Sequence, residues 1–259
     1  MKKIIMFDID NTLLDHYKHE IPSSTISALK SLITNDNLVG IASGKYPRYI
    51  KEFLKPYNIN IDTYVAFNGN YVEYKNKVIY DNPLPEVIVK RFEEFCLKNN
   101  IPFVAATYDG IVSEYHDNEM INSYYNVFSN SVYPKYVEHL DYKKIYQLSV
   151  MIKEEDEKKI IPKFKELTFV RMNPYGMNVL LNDGLKEKGI QKILDYAHLN
   201  KNNLIAFGDG LNDIGMLKLA HIGVALGNAD DELKKYASYV TSHISDNGIY
   251  HACKYLKLI

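Results

Sequence analysis

The sequence has little that suits it to nucleic acid, a membrane or a disulfide framework. Cysteine is scarce. Cys96 and Cys253 are the two in 259 residues, too few and too far apart for a metal-binding or disulfide scaffold, and two reduced, packed thiols are expected. A surplus of either charge is missing as well. Lysine and arginine number 31 against 32 acidic residues, a formal charge of -1, which gives no general attraction to nucleic acid or an anionic membrane. Long apolar runs are also absent. No stretch approaches the roughly 18 apolar residues of a membrane span. Ile4-Ile5-Met6, behind Lys2 and Lys3, give way to Asp8 and Asp10 before the roughly 7–15-residue core of a signal peptide is complete. These absences point to a cytoplasmic protein, a monomer or weak homo-oligomer, whose partner is a small molecule rather than nucleic acid or membrane.

What is present is an ordinary globular composition, 46% hydrophobic and 24% charged, with length for one or two domains. Residues 4–7 read as a strand buried on both faces. A helix follows, capped by Ser23 or Ser24, with Ile26, Leu29 and Ile33 on its buried face. Residues 38–42 predict a second strand, Pro47 opens a helix to Leu54, and residues 63–67 predict a third strand. That alternation predicts a parallel sheet with helices on its faces.

The rhythm then changes. Residues 71–80 alternate like a hairpin, and Pro83 and Pro85 mark a boundary. Beyond it come a helix over 86–98, short strands near 103, 111, 147–152, 169 and 179–181, and a charged helix over 154–167 that Pro162 weakens. The first rhythm returns with a helix over 185–199, strands at 204–207 and 222–225, and helices over 216–220 and 232–237. The expected fold class is α/β. A Rossmann-like parallel-sheet core takes residues 1–83 and 183–259, with helices on both faces, and residues 84–182 form an inserted α+β cap domain.

Two carboxylate clusters carry the chemistry. In Phe7-Asp8-Ile9-Asp10-Asn11-Thr12 the alternation of a strand points Asp8 and Asp10 the same way, about 6–7 Å apart along the chain. They stand at the carboxyl end of a buried strand, where open α/β sheets bind ligands, and a buried carboxylate needs a cation or a basic partner nearby. A calcium loop is excluded, because it needs Gly where Leu13 stands and Glu where His19 stands. The second cluster, Gly208-Asp209-Gly210-Leu211-Asn212-Asp213, also follows a short apolar strand, and one or two carboxylates from each strand end would suit Mg²⁺. Ser43-Gly44-Lys45 follows a third strand, where a hydroxyl and backbone N–H groups suit a phosphate oxygen. Lys186-Glu187-Lys188-Gly189 opens the late helix and offers a positive charge.

Asp8-x-Asp10-x-Thr12, Ser43, Lys188-Gly189 and Gly208-Asp209-x-x-Asn212-Asp213, in this order, resemble the four motifs of the haloacid dehalogenase superfamily. The insert between the second and third motifs, Asn68-Gly69 and Gly223-x-Ala225-x-Gly227-Asn228-Ala229 resemble its Cof-type phosphatase branch. The resemblance covers nearly the whole chain. It implies Asp8 as nucleophile, forming an aspartyl phosphate, and Asp10 as general acid and base. It implies Mg²⁺ held by Asp8, the Asp10 main-chain carbonyl, Asp209, and Asp213 directly or through water. Thr12, Ser43, Gly44, Lys188 and Asn212 would grip phosphate, Lys188 also serving catalysis; Lys186 is the alternative lysine. Asn11 stands where the family usually has Gly, and Asn tolerates left-handed backbone. Lys45 replaces a common Arg and removes a bidentate donor.

The resemblance implies hydrolysis of small phosphate monoesters, either sugar phosphates or cofactor phosphates such as those of flavin or pyridoxal. The cap would select among them, and Tyr108, Tyr115, Tyr124, Tyr125, Tyr175, Arg171, Asn173 and Asn178 are its candidates for gripping a sugar or a cofactor ring. A sugar phosphomutase is the alternative, and a non-catalytic phosphometabolite-binding regulator a more distant one.

Overall fold

The computed structural model describes residues 3–127, 132–182 and 185–259. The chain opens with β1 (Ile4–Phe7), α1 (Ser23–Thr34), β2 (Leu38–Ala42), α2 (Pro47–Phe53), β3 (Tyr64–Ala66), β4 (Tyr71–Tyr74) and β5 (Lys77–Asp81). There follow α3 (Glu86–Lys98), β6 (Phe103–Thr107), β7 (Gly110–Ser113), α4 (Glu119–Asn126), β8 (Lys135–Tyr136), β9 (Gln147–Val150), α5 (Glu157–Ile160), β10 (Leu167–Asn173) and β11 (Gly176–Leu181). The last run is α6 (Lys186–Tyr196), β12 (Leu204–Gly208), α7 (Ile214–Leu219), β13 (Ile222–Ala225), α8 (Asp231–Lys234), β14 (Tyr239–Val240) and α9 (Gly248–Tyr255). Two compact units result. One holds residues up to 45, 50–81 and 185–259; the other holds 46–49 and the chain from 82 to 182. The expected boundary at 182/183 falls beside Asp183 and Gly184, which lie outside the described residues, as does Lys2 ahead of the first strand.

The first unit is built on one eight-stranded sheet in the order β14-β13-β12-β1-β2-β3-β4-β5. Strands β14 through β3 are parallel to their neighbours, and β3, β4 and β5 pair antiparallel. Every residue of β1, β2, β3 and β12 is buried, as strands covered on both faces require. Burying each large apolar side chain stabilises the sheet by about 1.5–3 kcal/mol. Phe7 pairs in register with both Ile41 and Phe207, and the Asp8 N–H continues the ladder to Phe207 O at 3.0 Å. That register brings the chain after β1, β2 and β12 out at one edge.

The second unit has a six-stranded sheet, β10-β11-β9-β6-β7-β8. Alternate residues of β6 serve two cores: Phe103 and Ala105 pack with Val89 and Phe92 of α3, while Val104 packs with Ile121 and Tyr124 of α4. Among the described residues no helix is long and apolar enough to cross a membrane. Cys96 and Cys253 are buried free thiols as expected, and burial pushes the Cys253 thiol up to about 12.

Several local expectations shift. Pro22, not Ser23 or Ser24, occupies the α1 cap, with no side-chain hydrogen bond. The buried face of α1 is Thr25, Ala28, Leu29 and Leu32, and Ile33 is exposed. The charged helix near 154–167 breaks into a 3-10 turn (Glu154–Asp156), α5, and a second 3-10 turn (Ile161–Lys163) holding Pro162, because proline cannot donate to a helical carbonyl and crowds the preceding turn. Helices α4 and α9 form where the sequence pattern predicts no helix.

Candidate active site

Asp8 leaves β1 into a buried position, and Asp213, also buried, sits in the turn after β12. Between them lies the ammonium of Lys186, the first residue of α6, 2.7 Å from Asp8 Oδ1 and 2.6 Å from Asp213 Oδ1. Lys186 is itself 1% exposed. The other Asp213 oxygen accepts the N–H groups of Asp209 and Gly210, each at 3.0 Å. This close return of the chain needs a glycine: a Cβ on Gly208 would stand 2.6 Å from the Asp213 side chain. Thr12 donates its hydroxyl to Asp209 Oδ1 at 2.7 Å.

One oxygen each from Asp8, Asp209 and Asp213 can be chosen so that all lie within 4.8 Å of one another. Fully ionised, three carboxylates face one ammonium, an excess of two negative charges in a buried place. A divalent cation fits that excess and the all-oxygen donor set. Both Asp213 oxygens are already committed, whereas Asp8 and Asp209 each keep an oxygen that accepts no hydrogen bond from the described residues. A cation there would meet the uncommitted oxygens of Asp8 and Asp209, while Asp213, with both oxygens bonded, would orient the loop around them.

The titration behaviour follows. Burial, reinforced by the Asp8 charge, pushes the Asp209 carboxyl up to about 8. Burial also pushes Asp8 up to about 7, with Lys186 pulling against it and Asp213 and Asp10 adding to it. Desolvation acts to lower Lys186, but Asp213 and Asp8 outweigh it and hold the ammonium protonated well above the usual range. Because Asp8 and Asp209 bind protons more tightly folded than unfolded, their stabilising share is complete below about pH 4 and is lost as pH rises through about 7 to 8. Wild-type protein in chelator is therefore expected to melt lower at pH 8.5 than at pH 5.5, and Asp209→Asn to flatten that fall. Thermal unfolding across pH checks this; an equally steep fall in the variant would exclude Asp209 as its source.

Asp10 belongs to a different set of contacts. Its side chain is 35% exposed, with Oδ1 2.8 Å from His16 Nε2 and Oδ2 3.1 Å from Lys45 Nζ. Burial acts to raise its carboxyl, but Lys45 and His16 outweigh it and hold Asp10 well below the usual carboxylate range. The simple alternation expected of Asp8 and Asp10 does not extend this far. Strand β1 ends at Phe7, and the N–H groups of Thr12, Leu13 and Leu14 all turn back on Ile9 O. Asn11 takes a left-handed φ of 55°, the conformation that favours Gly or Asn here.

The sequence model of the haloacid dehalogenase-like hydrolases matches residues 5–253. The chain belongs to that family. It is 35% identical over 259 residues to YkrA of Bacillus subtilis (strain 168), a protein named as a phosphatase, covering 99% of this chain and 98% of the relative. Among solved structures, a protein of Geobacillus kaustophilus HTA426 superposes with a TM-score of 0.93 at 34% identity, with both chains fully covered. A sugar phosphatase of haloacid dehalogenase subclass IIB superposes at 0.85 and 33% identity, again with both chains fully covered. The Cof-type resemblance of the motifs is borne out by these matches.

Within this hydrolase the structure brings together Asp8, Thr12, Asp209 and Asp213, but not Lys188. Lys188 is exposed and Lys186 is the lysine in the carboxylate cluster. Two residues on a helix are about 200° apart, so both cannot face the core. The signal was legible: Lys186 shares a stripe with Ile190, Ile193 and Leu194, all buried, at the i, i+4, i+7, i+8 spacing of an inward face. Gly189 drew attention to Lys188 instead. Its own role is packing, since a Cβ there would stand 2.5 Å from Val65.

Ser43 is buried, and its hydroxyl accepts the Lys45 N–H at 3.2 Å. Asn68 links two of the motif-bearing segments. Its N–H goes to Ser43 O at 3.1 Å, its Oδ1 accepts from Asn212 Nδ2 at 3.2 Å, and a Cβ on Gly44 would meet its amide at 3.0 Å. Asn68 holds a φ of 52° between Phe67 at 50° and Gly69 at 113°, and Gly69 lies so close to Leu185 that a Cβ would be 2.2 Å from its carbonyl oxygen. Positive φ is costly at Phe67 and Asn68 and free at Gly69, and together they place Asn68 against the Ser43 loop and Asn212.

In the second unit, several expected substrate-gripping residues are occupied internally. Arg171 bonds Glu157 at 2.6 and 2.9 Å and Ile152 O at 2.7 Å. Asn178 Oδ1 accepts from Tyr124 at 3.0 Å and Ser149 at 2.8 Å, and Asn173 donates to Tyr124 O at 3.1 Å. These polar groups are satisfied by the fold, as buried ones must be.

Proposed function

We propose that this phosphatase of the haloacid dehalogenase type is Mg²⁺-dependent, acts on small sugar phosphates, and carries the phosphoryl group on Asp8. The carrying observation is the buried Lys186 ammonium bonded at once to Asp8 and Asp213. A fixed cation beside a carboxylate at a strand end suits an anionic nucleophile meeting an anionic ester. The likeness to a sugar phosphatase over the whole chain supports the substrate class.

Two displacements account for hydrolysis. An Asp8 oxygen bonds to phosphorus as the ester P–O bond breaks, and a proton on Asp10 passes to the leaving oxygen, releasing the alcohol. Water then attacks phosphorus, Asp10 takes its proton, and the Asp8–phosphorus bond breaks to give inorganic phosphate. Splitting the reaction this way replaces one very slow step with two easier ones. Lys186 stays protonated throughout and offsets charge on Asp8 and the transferred group. Held by Asp8, Asp209 and the Asp10 main-chain carbonyl, Mg²⁺ would supply Lewis-acid neutralisation of phosphate charge. In the conformation described, Lys45 and His16 favour the Asp10 carboxylate, the form that serves as base in the second displacement.

Phosphate release from a panel of sugar, flavin, pyridoxal and simple alkyl monoesters tests the reading. Release is expected with Mg²⁺, to vanish with chelator, and to be fastest on sugar phosphates. A preference for a cofactor phosphate would replace the substrate class. Product that keeps its phosphate would identify a mutase instead.

A further inference from the structure

His16 lies on a narrow turn outside the residues discussed as motifs. Asp15 and Glu20 pair across its base, with N–H to carbonyl distances of 2.9 and 3.3 Å. The buried Asp15 carboxylate accepts the N–H groups of Tyr17 at 3.0 Å and Lys18 at 3.1 Å, and the Ser245 hydroxyl. Asn228 donates to Asn11 O at 2.8 Å and accepts the Ile244 N–H at 2.9 Å. The turn and the loop before it are thus tied to the carboxy-terminal part of the same unit. A turn held so firmly offers its side chain in one place, and there His16 Nε2 meets Asp10 Oδ1 at 2.8 Å. Lys45 meets the other oxygen at 3.1 Å. With Asp10 35% exposed, packing alone leaves its torsions loosely held, and these two donors fix them.

We propose that His16 is a positioning residue for proton transfer by Asp10, keeping its carboxyl aimed at the leaving oxygen. This rests on the reading of Asp10 as general acid and base. In the first displacement Lys45 leaves Oδ2 for the substrate, Oδ2 carries the proton, and that proton passes to the leaving oxygen while the bond from Asp8 to phosphorus forms; His16 stays on Oδ1. A carboxyl able to rotate spends part of its time out of reach. The resulting loss grows as the leaving oxygen becomes more basic, because an acidic phenol departs with little help.

The test is kcat/KM, which reads events up to departure of the leaving group, across monoesters from dinitrophenyl to alkyl phosphates. Wild type is expected to depend weakly on leaving-group basicity. His16→Ala is expected to lose on the order of tenfold more on alkyl than on dinitrophenyl esters. His16→Gln, whose amide can still donate to Asp10, is expected to restore the wild-type slope, and Asp10→Asn to steepen it furthest. His16→Phe, which keeps the ring volume without a donor, carries the test if the alanine protein is unstable. An equal loss on all esters, or none, beside a steep slope for Asp10→Asn overturns the role of His16 and leaves that of Asp10 standing. A wild-type slope for Asp10→Asn overturns the general-acid reading, and the role of His16 with it.

Discussion

Phosphate release by Asp8→Asn protein is expected to fall on the order of 10⁴-fold or more, to the limit of detection. An amide oxygen has neither the charge nor the basicity to displace an alcohol from phosphorus, and the neighbouring carboxylates are committed elsewhere. Both Asp10 oxygens are bonded, to His16 and Lys45, both Asp213 oxygens are bonded, and Asp209 holds the Thr12 hydroxyl and, in the proposed arrangement, the metal. The variant should nonetheless fold, because an asparagine oxygen can still accept from Lys186. Phosphate assays paired with thermal unfolding separate the two effects. Turnover near wild type from a folded Asp8→Asn protein would remove Asp8 from the nucleophile's role.

The second large effect is expected at Lys186. Removing it leaves Asp8 and Asp213 buried without their counter-charge, a defect that costs about 3–5 kcal/mol when one partner of a buried pair is deleted. Lys186→Ala is therefore expected both to melt lower and to lose at least about 100-fold in kcat. Lys188→Ala, altering an exposed side chain, should stay within about twofold on both measures. Lys186→Arg keeps the charge but brings a bulky planar fork into a cleft shaped for an ammonium, and should recover stability more than turnover. The reverse ranking of Lys186→Ala and Lys188→Ala would return the role to Lys188.

The order of strands and helices was legible because it depends on local pattern. A fully apolar β1, the repeat of strand and helix, and glycines at strand ends all act over a few residues. The carboxylate pairs were legible for the same reason, each lying within one short loop. What local pattern hid was the choice among neighbouring residues. Lys186 and Lys188 are equally good lysines until the helix face is counted, and Gly189 pointed to the wrong one. Asn68 draws its meaning from Ser43, Gly44 and Asn212, brought beside it only by tertiary folding. The tyrosine-rich insert suggested a ring-binding surface, yet Tyr124 and Asn178 are spent on one another. A polar side chain does not announce in sequence whether the fold has already used it.

Strand β1 lies between β2 and β12, which has a consequence for how the protein is made. At about 5–20 residues per second on the ribosome, the 178 positions separating Asp8 from Lys186 take about 9–36 s to synthesise. For that interval the nascent chain holds a nucleophile without its counter-charge and an apolar strand with one edge open, a ready template for pairing with another chain. The unit containing residues 82–182 is complete before the three missing strands of the sheet, β12 to β14, have been translated. Slower elongation through that insert would lengthen the exposure, and a chaperone able to cover the β1 edge during synthesis would raise the yield of active enzyme.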